Sequence, residues 1–441
     1  MSIEPDSLAA ATTAPLSHTV HGEPLVIEGG TQASAVFALE RAIGEALDAY
    51  SAARPVTPLF VVPPGTSASA AAAEVAHLGY PEGTGVLMRT SGSTTGTGKI
   101  VAMPWEAVIA SATATHAALA GPGAWITVLP IHHIAGFQTV TRSVIAGYSP
   151  IAPDMNGEAS ARVSAASSAP DESLRTAVMR TMVKGSAAPA VYLSQVPTQL
   201  SRSLTDPQLC EFIATHIAAD VVGGAALTSA LLDAARSAGI PIRTSYGMTE
   251  TCGGCVYDGF PIGDTTITID TAGRISLTGS ATAFGYLGDV GADAFSTTTI
   301  DGRTLRTHHT QDAGALTGKP PRLSVLGRID DAITTGGLTI MPALIEDAVA
   351  RGFAVDSIVV GVPDALWGER AVIVAPTPLD LGAVRDYIGA RFEKGWAPRQ
   401  ALTLSQLDLG AAQRNADGWP ITASGKIDRR ALQRAVRAFA A

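Results

Sequence analysis

The chain has 441 residues, 46% of them hydrophobic and only 16% charged, which is enough for two or three domains around a well-buried core. Its formal net charge of −9 argues against nucleic acid or an anionic membrane as the main partner, since both are bound through excess Lys and Arg. Cys210, Cys252 and Cys255 are too few for a disulfide framework, and no apolar run reaches the roughly 18 residues that cross a bilayer, so the expectation is a cytoplasmic protein without membrane insertion.

Along the chain, residues 36–51 have helical spacing, 58–62 read as a buried strand and 67–77 as a second helix. An apolar run ending in Val86-Leu87-Met88 leads into a glycine loop, followed by a helix over 104–119 and a strand over 125–129. The Ala- and Ser-rich stretch 157–170 predicts a loose loop. A helix over 172–183 follows it, then strands over 190–194, 220–222 and 242–245. Strand, crossover helix and strand repeated in this way imply an α/β fold with a mainly parallel sheet covered by helices. From 267 to 287 short alternating strands with Gly turns predict a small β subdomain. The texture shifts again at 327–331, where a hinge is placed between an N-terminal core of residues 1–329 and a mobile α+β domain of residues 330–441.

The loop Thr90 to Lys99, TSGSTTGTGK, combines three glycines, six hydroxyl side chains and one lysine. Glycines let backbone approach a ligand closely, amides and hydroxyls donate to phosphate oxygens, and the lysine adds positive charge. A loop of this composition alone is often a flexible connector. It is not a P-loop: five residues rather than four separate Gly92 from Gly98, and Ile100 stands where the metal-binding hydroxyl would follow the lysine. Cys252 and Cys255 form one CxxC without a second pair, which fits packed or pocket-lining thiols better than zinc.

Further blocks follow in order: LPIHHIAG at 129–136, Gly223-Gly224-Ala225, YGMTE at 246–250, THHTQDAG with Asp312, LGRIDD with Arg328 and Asp330, Gly336-Gly337, and ITASGKIDRRAL with Lys426. With the glycine loop they resemble the adenylate-forming superfamily of acyl-CoA synthetases, luciferases and peptide-synthetase adenylation domains. The loop departs from TSGSTGxPK by one extra residue and by Gly98 where proline is common, and Gln311 replaces the more usual Gly before Asp312.

The resemblance implies roles residue by residue. Thr90, Ser91, Gly92, Ser93, Thr94, Gly96, Lys99 and Thr249 would contact the phosphates of ATP. The backbone of Gly223, Gly224 and Ala225, with Tyr246, Gly247 and Met248, would hold adenine, and Asp312 and Arg328 the ribose. Glu250 would bind Mg²⁺, His133 would close the acyl pocket beside the carboxylate being activated, and Lys426 would stabilise charge in adenylation. Asp330 would be the hinge, and Gly336-Gly337 would line the tunnel through which CoA enters.

Three strings, LPIHHIAGFQTVTRS, VYLSQVPTQLSRSL and SYGMTETCGGCVYDG, are similar to the o-succinylbenzoyl-CoA synthetases of menaquinone biosynthesis in their short actinobacterial form. That resemblance implies ATP-dependent activation of 2-succinylbenzoate as acyl-AMP and its transfer to CoA, with Arg142 on the retained carboxylate and the small residues Gly253 and Gly254 leaving room for the ring. A homodimer is a family-level expectation. Two alternatives stand beside this one: another aryl- or acyl-CoA ligase of the superfamily, and an inactive nucleotide-binding regulatory module. The joint presence of Glu250, Asp312, Arg328 and Lys426 argues against the module.

Overall fold

The computed structural model describes residues 19–90, 98–152, 190–288, 291–300, 302–415, 417–422 and 427–440. The predicted loop 157–170 and helix 172–183 lie outside them.

Runs such as Leu59–Val62, Gly123–Ile126 and Ala219–Val222 are buried along their whole length, as expected of strands covered on both faces. They build two mixed sheets. One has the order Gly285–Tyr286, Ile100–Pro104, Thr84–Arg89, Leu59–Val62, Leu25–Glu28. The other runs Phe260–Pro261, Gly253–Tyr257, Ile242–Met248, Ala219–Val222, Ala190–Gln195, Gly123–Ile126. The last three strands of the first sheet and the last four of the second are parallel, and the antiparallel pairs lie toward the opposite edges.

The helices Ala33–Ser51, Trp105–Ala118 and Ile134–Ile145 fill the layer between these sheets. Val36, Leu39 and Ile43 pack with Val108, Phe137 and Val140 against Leu59, Val86 and Met103 of the first sheet. Ala114 and Leu119 reach Trp125, Tyr192 and Val221 of the second. Ala68–Leu78 covers the outer face of the first sheet, while Pro197–Thr205, Pro207–His216 and Ser229–Ser237 cover that of the second. The result is an α/β/α/β/α stack, in which each fully buried Val or Leu contributes about 1.5–3 kcal/mol.

A third, antiparallel sheet of Thr266–Ile269, Arg274–Gly279, Arg303–Thr317, Phe295–Ile300 and Arg322–Arg328 packs Ile275, Leu277 and Leu323 on Cys255 and Val256. This β subdomain is larger than expected and shifted along the chain. Gly285–Tyr286, predicted inside it, instead pairs with Ile100–Pro104, next to the glycine loop. The strand predicted over 125–129 lies earlier, at Gly123–Ile126. Conversely, the strand from Ile242 runs to Met248, so Tyr246, Gly247 and Met248 lie on it and not beyond it, with a bulge between Tyr246 and Gly247.

From Ile333 onward a five-stranded sheet has Arg429–Ala440 on one face and Pro342–Phe353 with Leu381–Arg391 on the other. A pair between Arg429 and Glu346, with an Nη1 to Oε1 distance of 2.8 Å, ties the last helix to Pro342–Phe353. The unit touches the rest of the chain where the Asp347 carboxylate accepts the Ser229 amide at 3.1 Å, at the start of Ser229–Ser237. A carboxylate is favourable there because the first amides of a helix lack partners.

Candidate active site

Among the described residues, the glycine loop begins and ends on a closed base. The Thr90 amide donates to the Lys99 carbonyl at 2.8 Å, and the Lys99 amide to Thr90 Oγ1 at 3.1 Å. Arg89 Nη1 donates to the Gly98 carbonyl at 3.2 Å while the same guanidinium pairs with Glu74. A Cβ at position 98 would lie 1.9 Å from the Thr90 carbonyl oxygen. Position 98 must therefore be glycine in this closure, which accounts for the departure from proline. Ser91, Gly92, Ser93, Thr94 and Gly96 lie outside the described residues, as does Lys426.

The end of the strand Ile242–Met248 carries most of the remaining candidates. Tyr246 Oη donates to Asp312 Oδ2 at 2.8 Å. Asp312 stands opposite Arg328 in the strand pairing, with 4.0 Å between Oδ1 and the guanidinium. Burial, followed by the Asp312 charge, raises the Tyr246 phenol well above its ordinary value, and burial raises the Asp312 carboxyl despite the Tyr246 and Arg328 contacts. Arg328 in turn grips Asp330 with two bonds of 2.8 and 2.9 Å. Gly223-Gly224-Ala225 leaves the neighbouring strand beside this one, exposed at Gly224 and Ala225.

Thr249 and Glu250 follow on a short 3₁₀ turn, both buried. Glu250 Oε1 accepts the Tyr286 hydroxyl at 2.6 Å, and the Lys99 ammonium sits 4.3 Å from the centroid of the Tyr286 ring. The Tyr286 phenol is raised by burial and then by the Glu250 charge, so it keeps its proton. Glu250 has a second oxygen for a divalent cation, and a Mg²⁺ ion held by one carboxylate and substrate phosphates needs no more from the protein. No group of three or more metal-ligating side chains occurs among the described residues.

His133 is the residue from which the helix Ile134–Ile145 starts, its ring 4.4 Å from that of His132. Burial lowers His132 below the usual imidazole range. The same helix presents Gln138, whose amide donates to the Cys252 carbonyl at 2.6 Å, joined there by Ser111 Oγ at 2.9 Å. These two side chains hold Cys252 at a positive φ of 50° and thereby fix the turn that bears Glu250.

Arg142 is 3% exposed, with its guanidinium 4.7 Å from the Trp125 ring. It makes no ion pair among the described residues and its Nε has no partner there; burial lowers its pKa, against the neighbouring Tyr257 hydroxyl, which raises it. A Cβ on Gly253 would lie 3.5 Å from its Nη2, so this charge faces the glycine pair 253–254. Both nearby thiols are buried and raised, Cys255 to about 12, and neither is poised as a nucleophile. A cleft of ≈ 780 Å³ between Trp105–Ala118 and the β subdomain is lined by Ser111, Gly254, Cys255, Asp264 and Arg306.

Tyr246, Asp312 and Arg328 thus form one group and Lys99, Tyr286 and Glu250 a second, and Gln138 and Cys252 join the turn that bears Glu250 to the helix that starts at His133. Gly336-Gly337 is separate. It forms the two-residue turn of the hairpin Ile333–Thr335/Leu338–Ile340, with φ of 55° and 82°, against the Trp367 ring. Tyr286, Gln138 and Ser111 were not found by sequence reasoning, and nothing local marks them. Their partners are 36, 114 and 141 residues away.

Residues 32–281 match the family model described as AMP-binding enzyme. A probable 2-succinylbenzoate–CoA ligase from Mycobacterium tuberculosis is 36% identical over 361 residues, covering 80% of this chain and 84% of that protein. Among solved structures, o-succinylbenzoate CoA synthetase from Bacillus subtilis superposes with a TM-score of 0.64 in its complex with the acyl-adenylate intermediate. Identity there is 21%, over 93% of this chain and 87% of that one. With ATP and magnesium ion the score is 0.62, at 20% identity over 93% and 96%. These structural likenesses establish the fold. The chain belongs to the AMP-binding enzyme family, on its 2-succinylbenzoate–CoA ligase branch.

Proposed function

We propose that this chain is an AMP-forming acid–thiol ligase of menaquinone biosynthesis that activates 2-succinylbenzoate with ATP and passes it to CoA. The identity with the M. tuberculosis ligase supports the reaction. The observation that carries it is that two carboxylates, half-buried Asp312 and buried Glu250, are each held by a tyrosine, Asp312 by one on the strand Ile242–Met248 and Glu250 just beyond the end of that strand. Asp312 is held by Tyr246 beside Arg328, as a ribose site requires, and Glu250 is held by Tyr286 beside Lys99, as a metal–phosphate site requires.

In the first step a substrate carboxylate oxygen attacks the α-phosphorus, the bond to the β-phosphate oxygen breaks, and pyrophosphate leaves. Glu250 would hold a Mg²⁺ ion, which would supply positive charge to the phosphates. Thr90, Thr249, Lys99 and the loop residues Ser91, Gly92, Ser93, Thr94 and Gly96 donate where charge builds up, and Lys426 bridges the carboxylate and the α-phosphate. Adenine lies between Gly223-Gly224-Ala225 and Tyr246, flanked by Gly247 and Met248. His133 closes the acyl pocket, and Arg142 pairs with the carboxylate that is not activated, over the space left by Gly253 and Gly254. That role suits a buried guanidinium without an acidic partner among the described residues, since a monocarboxylate would bring it no counter-charge.

In the second step the CoA sulfur attacks the acyl carbon, the bond to the phosphate oxygen breaks, and AMP leaves. The C-terminal unit, residues 330–441, swings about Asp330 so that Gly336-Gly337 replaces Lys426 beside the adenylate. The test supplies pure protein with ATP, Mg²⁺, CoA and 2-succinylbenzoate and follows AMP and thioester, which should appear one for one. A better response to benzoate or to aliphatic acids would mark a different ligase. No AMP from any acid would mark a nucleotide-binding module.

A further inference from the structure

The strand Gly285–Tyr286 has no part in the sequence motifs, yet its tyrosine touches both Lys99 and Glu250. Its place is set by backbone. Tyr286 pairs with Val101, two residues beyond Lys99, while the Phe284 and Leu287 amides donate to the Ala102 and Ile100 carbonyls. The Ala283 amide donates to the Glu250 carbonyl at 2.9 Å. The segment is thus tied both to the strand leaving the glycine loop and to the turn bearing Glu250. Phe295 meets the Tyr286 ring edge-on at 5.3 Å and 78°, and His308 backs Phe295 at 4.7 Å, its Nδ1 3.0 Å from the Ala294 carbonyl oxygen.

We propose that Tyr286 is a positioning residue of the adenylation site, orienting Glu250 through its hydroxyl and Lys99 through its ring face, and keeping the two from pairing with each other. The inference rests on the roles given above to Glu250 and Lys99. A carboxylate and an ammonium this close to one aromatic ring would ordinarily form an ion pair, and each would then be lost to ATP. Among the described residues neither is in an ion pair. Instead the hydroxyl bond to Oε1 fixes the rotation of Glu250 and leaves its other oxygen for a divalent cation. The ring holds the ammonium by its electron-rich face, which orients the charge without neutralising it.

The test is direct binding. Mn²⁺ is titrated into the full chain saturated with α,β-methylene-ATP and free ion is read by electron paramagnetic resonance, alongside analogue affinity at excess Mn²⁺ and the melting temperature. Tyr286→Phe keeps the ring, so Mn²⁺ binding should weaken about 5–10-fold while analogue affinity stays within about twofold and folding is unchanged. Tyr286→Leu should weaken Mn²⁺ binding equally and analogue affinity a further ~3–10-fold, with Tyr286→Met in its place should the Leu variant not fold. Unchanged Mn²⁺ affinity in the Phe variant overturns the hydroxyl's role, and unchanged analogue affinity in the Leu or Met variant overturns the ring's. Wild-type protein that yields no AMP from any acid would instead overturn the proposed reaction, an outcome read in a different assay.

Discussion

Two buried charges reward attention at the level of single residues. Asp220, on the central strand Ala219–Val222, is fully buried with neither carboxylate oxygen bonded among the described residues, and burial pushes it up to about 7. Its ordinary value is 3.8, so between those values the folded chain holds a proton that the unfolded chain releases. Stability contributed by the protonated form is therefore complete below about pH 4 and lost as pH rises to about 7, beyond which the loss is constant. Asp220→Asn should leave urea unfolding near pH 4 almost unchanged and add about 2–4 kcal/mol at pH 8. Equal stability of the two proteins at pH 8 would contradict this. Arg142 has the opposite sign and a proposed use. Arg142→Ala should raise KM for 2-succinylbenzoate about 10–100-fold while leaving KM for ATP within a factor of about two. An unchanged KM for the acid would remove Arg142 from its role.

Elements contribute through the joints between them. The glycine loop is held at its base by Thr90, Lys99 and the Arg89–Glu74 pair, and position 98 admits no side chain. Gly98→Ala should raise KM for ATP at least about tenfold in pyrophosphate exchange and cost about 1–3 kcal/mol of stability, because a methyl group would displace the closing hydrogen bonds. A smaller joint lies where Asp347 of Pro342–Phe353 accepts the first amide of Ser229–Ser237. Asp347→Ala removes that acceptor and its favourable charge, worth about 0.5–2 kcal/mol, and should speed limited proteolysis near residues 318–332 several-fold. The helices Ala33–Ser51, Ala68–Leu78 and Trp105–Ala118 and the strands Leu59–Val62, Ala190–Gln195 and Ala219–Val222 were legible at this scale, since burial on one face or on both writes itself into spacing and composition. The strand at Tyr286 was not, because two residues show no periodicity and its partner strand lies more than 180 residues earlier.

For the whole molecule, one chain is asked to perform two chemical steps around one adenylate. Lys426→Ala should collapse ATP–pyrophosphate exchange by about 100-fold or more while sparing thioester formation from supplied acyl-AMP. Equal loss of both half-reactions would count against a lysine that serves only one of them. The double grip of Arg328 on Asp330 joins the proposed ribose contact to the proposed hinge, so nucleotide binding and domain orientation share a residue. By itself the sequence determined the α/β class, the order of the blocks and the kind of ligand, because phosphate loops and alternating strands depend on residue types close together in the chain. Only the tertiary structure decided that Tyr286 touches both Lys99 and Glu250, and that among the described residues Arg142 is buried without an acidic partner and Asp220 has none of the bonds a carboxylate needs. Those facts depend on which distant strands pair and which faces are closed off from water, and burial and long-range register are not properties of any short stretch of residues.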